Sequence, residues 1–263
     1  MPEEGWAEEA AIDVDGVSAS YFLRVGRAAG LWGLRGLFQS DGAGRREVRA
    51  LRDVTFSVPR GTVLGVIGRN GAGKSTLLRT LSGILAPTHG RIVVRGRISP
   101  LLSVGLGMQG DLTGRENIRL GALAFGHQPT ELPHLEASIA EFAQLGEYVD
   151  YPFRTYSAGM RSRLGFAVAA HLDPEILLID EALTGGDSKF KEKVEEKMFE
   201  LCSGGRTIVV VTHGLTLVRE IATRALWLHQ GQVVELGDPD DVVASYLRYC
   251  RIQEVDLAAI DDD

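Results

Sequence analysis

An apolar run, TVLGVI (62–67), leads directly into Gly68-Arg69-Asn70-Gly71-Ala72-Gly73-Lys74-Ser75. The run has the β-branched character of a strand buried on both faces. The eight residues fit GxxxxGK[ST], and the sequence after Lys74 reads as a helix to about Gly83. Strand, glycine-rich loop and helix start together make a cradle for phosphate. Glycines let backbone N–H groups curl around phosphate oxygens without a Cβ in the way, and the helix N-terminus adds partial positive charge. Lys74 is placed to reach the β- and γ-phosphates, and Ser75, followed by Thr76, to ligate Mg²⁺. A glycine-rich connection with no ligand would not require the lysine and the hydroxyl in this register.

Strand and helix patterns alternate along most of the chain. Strands are expected at 11–21, 54–58, 62–68, 176–179 and 207–211, and a hairpin at 225–236 turns at Gln230-Gly231. Helices are expected at 74–83, 115–126, 134–146, 158–171 and 188–203, the fourth ending before Asp173-Pro174. This order predicts an α/β fold with a largely parallel central sheet. The block at about 113–172 is rich in helix and reads as a helical subdomain.

A second acidic motif follows the loop by about a hundred residues. ILLI (176–179) runs into Asp180 and Glu181. An acid at the end of a buried strand can hold Mg²⁺ through water, and the next can polarise a water near a γ-phosphate. A solvent-facing acidic strand end is the plain alternative. Between the two motifs lies Tyr156-Ser157-Ala158-Gly159-Met160, a serine N-cap and small residues at a helix start, which suits an anion or simply a capped helix.

YSAGM resembles the LSGGQ signature of ABC-type ATPases, and its spacing to ILLIDE fits that family. The resemblance covers roughly residues 11–250, with 251–263 left as an acidic tail whose end, from Asp256, is expected to fray. It implies a P-loop ABC ATPase with a RecA-like core, an antiparallel β-subdomain and a helical subdomain, using ATP and Mg²⁺. The P-loop, Gly68 to Thr76, would bind the phosphates, Ser75 and Asp180 the metal, and Glu181 would position the attacking water. Ser157, Ala158 and Gly159 would meet the γ-phosphate bound by a second copy in a head-to-tail dimer. Met160 stands in place of the usual glutamine. His213, in VVVTHG, matches the histidine that touches the γ-phosphate, Asp187 matches the acid that couples the paired sites, and Tyr21 matches the aromatic that stacks on adenine. For Tyr21 and His213, ordinary packing and a satisfied strand-end histidine are the competing readings.

One departure narrows the branch. The segment ISPLLSVGLGMQGDLTGREN has no glutamine at the family's usual place; Ser103 or Val104 falls there, and Gln109 lies too close to LTGREN. This stretch, with GRNGAGKSTLLRTLSGIL and YSAGMRSRLGFAVA, is similar to the polysaccharide-export branch, whose members energise export of O-antigen, teichoic acid, capsule or lipid-linked galactan. That resemblance implies a membrane-spanning permease as partner and a peripheral place at the cytoplasmic face of the plasma membrane. A soluble ABC ATPase acting on nucleic acid or ribosomes would be expected to carry two cassettes or a long coiled coil, and no nucleic-acid partner is expected here. A module binding ATP without turnover is disfavoured by the presence of Lys74, Asp180 and Glu181 together.

The net charge of -7 does not exclude an anionic partner, which would have to meet residues 22–52. Residues 1–15 and 236–263 each carry -6, which leaves +5 for the body, and residues 22–52 alone hold +5 through seven arginines. A basic insertion at 22–48 contains GLWGLRGLF, with Leu31, Leu34, Leu37 and Phe38 near one helical face. Such a segment suits the cytoplasmic leaflet or the headgroup of a lipid-linked glycan; a surface loop with a core-facing aromatic patch fits equally. Two isolated cysteines, Cys202 and Cys250, give no disulfide framework or zinc spacing. No run of about 18 apolar residues is present. The acidic start predicts no signal peptide, and the short stretch after the hairpin predicts no carbohydrate-binding domain.

Overall fold

In the computed structural model, residues 10–24, 45–101, 107–180 and 188–258 are described. The central sheet is built around β3 (Val63–Ile67), whose five residues are all buried. With β5 (Ile98–Leu101), β6 (Ile176–Asp180), β7 (Thr207–Val211), β8 (Arg224–His229) and β9 (Gln232–Gly237) it forms a sheet of order β5-β6-β7-β3-β8-β9. All neighbours run parallel except β8 and β9. Parallel strands covered on both faces need continuous apolar runs, and VLGVI, ILLI and TIVVV supply them. The parallel order also brings the carboxyl ends of β3, β6 and β7 to one edge, where such sheets bind ligands.

A second, antiparallel sheet has the order β2-β1-β4, from β2 (Arg45–Pro59), β1 (Ala10–Arg24) and β4 (His89–Val94). Ile12, Val14, Val17 and Ala19 on β1 are buried, as are Leu51, Val54, Phe56 and Val58 on β2. They share one core with Leu64 and Val66 of β3 and with Leu77, Leu78 and Leu81 of α1 (Lys74–Leu81). Each Val, Leu, Ile or Phe among them stabilises the fold by about 1.5–3 kcal/mol through removal from water. α1 is thereby clamped between the two sheets, which fixes where its N-terminus points.

The helical block comprises α2 (Gly114–Ala124), α3 (Leu132–Ala143) and α4 (Ala158–His171), with short 3-10 turns at Gly146–Asp150 and Phe153–Thr155. Thr113 and Glu116 close a capping box on α2, each side chain accepting the other's backbone N–H. α2 and α3 are tied by Arg119 and Arg115, which converge on the nearly buried Glu136. One face of α4 packs Leu164 and Val168 into the helical core, and another packs Phe166, Ala169 and Ala170 against Leu177 and Ile179 of β6. α4 is thus the member shared by both subdomains. α5 (Ser188–Ser203) buries Phe190, Val194, Met198 and Leu201 on the same side of the sheet.

Several elements were not expected from the sequence. β4 begins with exposed His89, Gly90 and Arg91, and β5 is four residues long and contains Pro100 at a sheet edge. Neither has a two-residue alternation strong enough to read, and proline is tolerated in a strand only at such an edge. α6 (Leu215–Ile221) is two turns long. α7 (Pro239–Ala258) buries Val242 and Val243 near its start and runs into the expected acidic tail, of which residues 259–263 lie outside the described residues. β1 and β2 reach into the basic insertion from both sides, pairing Arg24 with Arg45. Residues 25–44, which hold the rest of it, lie outside the described residues. Among the described residues no helix is long and apolar enough to cross a membrane.

Candidate functional site

β3 delivers the chain at the carboxyl edge of the sheet, and the loop from Gly68 turns it back into α1. Gly73 is the N-cap of that helix, with φ 105° and no side-chain cap. A Cβ there would stand 2.5 Å from the carbonyl oxygen of Ala50, so the left-handed conformation and the close approach both require glycine. Gly73 brings no capping side chain to this helix start, the kind of place where backbone amides can donate to an anion. Lys74 folds back over the loop. Its Nζ donates to the carbonyls of Gly68 at 2.6 Å and Arg69 at 3.2 Å, and the residue is only 7% exposed. A buried ammonium needs acceptors, and these two carbonyls are among them.

A cavity of about 600 Å³ opens over this helix start. Asn70, Gly71, Ala72, Gly73, Lys74, Ser75 and Thr76 form one wall. Tyr21, Val48, Arg49 and Ala50, from the ribbon of β1 and β2, form another. Tyr21 and Val48 are register partners across that ribbon, which makes a flat apolar patch suited to an aromatic base. The Tyr21 hydroxyl is 3.4 Å from Thr76 Oγ1 and joins the two walls.

The remaining lining comes from the sheet edge. Asp180 ends β6, Val211 ends β7, and His213 follows two residues later. Asp180 and Val211 are register partners, so parallel pairing carries the acid and the histidine to the same end. Thr212, 1% exposed, accepts the Gly214 N–H at 2.9 Å and turns the chain so that His213 is left at the cavity. The cradle fits a nucleotide with Mg²⁺: the Ser75 hydroxyl and the Asp180 carboxylate are hard oxygen donors lining one space. Among the described residues there is no cluster of three or more His, Cys, Asp or Glu that could hold a metal ion.

Of the residues expected from sequence, Tyr21, Asn70 to Thr76, Asp180 and His213 line this cavity, while Gly68 and Arg69 contribute through the carbonyls that hold Lys74. Ser157, Ala158 and Gly159 do not line it. Ser157 is the exposed N-cap of α4, with φ -63° and ψ 163°, and its Oγ accepts the Met160 N–H at 3.2 Å. Glu181 and Asp187 lie outside the described residues, as do Ser103 and Val104. Gln109 is engaged elsewhere through its backbone, which exchanges hydrogen bonds with the Asn117 side chain at 2.7 and 3.0 Å. Val48, Arg49, Ala50 and Val211 were missed. They carry no motif, and only the β1–β2 and β6–β7 registers reveal them.

A family model described as ABC transporter matches residues 51–184. The chain belongs to the ABC transporter family. Among curated relatives, this cassette is 43% identical over 218 residues to a teichoic acids export ATP-binding protein of Listeria innocua, covering 83% of this chain and 65% of that protein. It is 44% identical over 226 residues to an O-antigen export system ATP-binding protein of Myxococcus xanthus, covering 86% of this chain and 51% of that one. The cassette therefore spans between half and two thirds of the length of these relatives. Among solved structures it matches an ATP-binding subunit of an ABC transporter with a TM-score of 0.71 at 25% identity, over 90% of this chain and 93% of that one. A dimeric cassette bound to ADP and Pi matches with a TM-score of 0.69 at 22% identity, over 87% and 98%. The α/β cassette fold, with its antiparallel sheet and helical block, is common to them.

Proposed function

We propose that this chain is the ATP-hydrolysing subunit of an ABC exporter that moves a lipid-linked polysaccharide, of the teichoic acid or O-antigen class, across the cytoplasmic membrane. The observation that carries the reading is the single cavity joining Lys74, Ser75, Asp180 and His213 to the Tyr21–Val48 patch. The likeness to export ATP-binding proteins supports the cargo class.

In this reading the adenine stacks on Tyr21, and the amides at Gly71 to Thr76 with Lys74 hold the phosphates. Ser75 and Asp180 would hold Mg²⁺, which when bound neutralises charge on the phosphoryl oxygens. Glu181 orients a water and accepts its proton as the water oxygen bonds to the γ-phosphorus. The bond to the bridging oxygen breaks, leaving ADP and phosphate. His213 donates to a γ-phosphate oxygen. Ser157, Ala158 and Gly159 close the site of a second copy in a head-to-tail dimer, and Asp187 links the paired sites. A membrane-spanning permease would receive the resulting motion, placing this chain peripherally at the cytoplasmic face. The basic segment 22–48 would lie near the lipid headgroup of the cargo; charge reversal of Arg24, Arg27 and Arg35 should then reduce export more than ATP hydrolysis.

Glu181→Gln tests the reading. It should bind MgATP, accumulate as a dimer on size exclusion, and lose turnover by about 100-fold or more. Cells carrying it in place of the parent should lose surface polysaccharide. Hydrolysis at the parent rate would remove Glu181 from this role, and unchanged surface polymer would remove the cargo assignment.

A further inference from the structure

The turn between β8 and β9 belongs to no motif of the family reading, yet it touches the phosphate loop. Gln230 and Gly231 have φ of 48° and 80°, the paired left-handed residues that a tight two-residue hairpin turn requires. The Gly231 N–H donates to the Ala72 carbonyl at 2.9 Å, and the Gly231 carbonyl accepts the Arg52 N–H at 2.8 Å. Gly231 is buried, and a Cβ on it would stand 2.6 Å from the Ala50 carbonyl oxygen and 3.1 Å from the Leu51 Cα. No larger residue fits there without displacing β2. The same Ala50 carbonyl is the one that crowds Gly73. Phosphate loop, β2 and hairpin therefore meet at one point.

We infer that Gly231 is a positioning residue of the nucleotide site. The peptide between Ala72 and Gly73 is planar and trans, so its C=O and N–H point in opposite directions. Because Gly231 holds the carbonyl, the Gly73 N–H is turned away from the hairpin. Ala72 and Gly73 both line the cavity, so that N–H is presented to a phosphate oxygen. Beside a glycine this peptide could otherwise rotate and offer its carbonyl oxygen instead. Holding it removes an ordering cost from binding. Through Arg52 the same turn is tied to β2, which carries Val48 and Ala50 on the base-side wall. One glycine thus sets the phosphate-side wall against the base-side wall.

The inference rests on the nucleotide reading of this cavity. Gly231→Ala is measured for MgATP affinity, KM, kcat and melting without nucleotide. A donor used equally in ground and transition states raises KM and spares kcat, so a KM rise of about tenfold with kcat within about threefold is expected. Where the added methyl prevents folding, an ester in place of the Gln230–Gly231 amide removes only the N–H and should weaken MgADP and MgATP binding by a similar factor. Parent affinity in the ester form overturns the inference. Lys74→Ala is run beside it. If Lys74→Ala also keeps full affinity, the nucleotide reading has failed; if it loses affinity while the ester form keeps it, only the role of Gly231 has.

Discussion

The chain carries two helix N-termini suited to an anion, and they are finished differently. α1 begins at a glycine with no side-chain cap, buries Lys74 against its own loop and opens into a cavity of about 600 Å³. α4 begins at Ser157, which caps Met160 with its own hydroxyl and lies exposed, away from that cavity. The first has its charge, donors, base-side wall and metal-side oxygens within one chain. Among the described residues, the second is a capped helix start on the surface, outside the cavity. This difference is what the proposed head-to-tail pair would use, each chain supplying its α4 start to the other's α1.

The largest expected effect falls on the complete site. Lys74→Ala should weaken MgATP binding by about 100-fold or more, since charge-assisted bonds to phosphate are lost. It also leaves the Gly68 and Arg69 carbonyls without their buried donor, a stability cost of about 1–3 kcal/mol. Isothermal titration and thermal melting measure the two separately. MgATP binding at the parent affinity would mean that α1 is not the phosphate site, and the contrast between the two helices would collapse.

The half-site gives a smaller and differently shaped effect. Ser157→Arg should leave MgATP affinity of the single chain within about twofold, because nothing in its own cavity changes, while steady-state hydrolysis falls by about tenfold or more as the dimer is kept from closing. Loss of the N-cap should cost about 1 kcal/mol of stability. Hydrolysis that persists at the parent rate would make Ser157 an ordinary cap.

The two helix starts also differ in how far the sequence reveals them. The α1 site is legible because its constraints are local: the glycines, Lys74 and Ser75 are consecutive, and the preceding strand is a continuous apolar run. Asp180 and His213 are legible because Asp180 closes, and His213 closely follows, a short buried apolar strand. Val48 and Ala50 are invisible by comparison. They enter the cavity only through the pairing of β1 with β2, and neither residue type signals a ligand. β4, β5 and α6 escaped for the same reason, being short, edge-placed or partly exposed, with stability drawn from neighbours and not from their own pattern. Ser157 is half legible: the cap is written in the residues, while the role proposed for it against a second copy is not a property of one chain's pattern.

The smallest effect concerns the far end of α4. His171 donates from Nδ1 to the Ala167 carbonyl at 2.7 Å and meets the edge of Phe142 at 5.0 Å. Burial lowers its pKa below 6.5; the Ala167 bond and Glu200 act the other way, and Lys197 adds to the lowering. The helix C-terminus would favour a protonated ring, but burial dominates. A histidine whose folded pKa is depressed binds fewer protons than it does unfolded, so stability is full above 6.5 and declines as the pH falls below that value. His171→Gln removes the titration while keeping a donor near Ala167. Its melting temperature, followed from about pH 7.5 to about pH 5, should fall less steeply than that of the parent. Nucleotide affinity should be unaffected, because the ring packs on α4 and not on α1. Parallel melting curves for the two proteins would show that burial does not control this ring, and that the end of α4 is open to water as its start is.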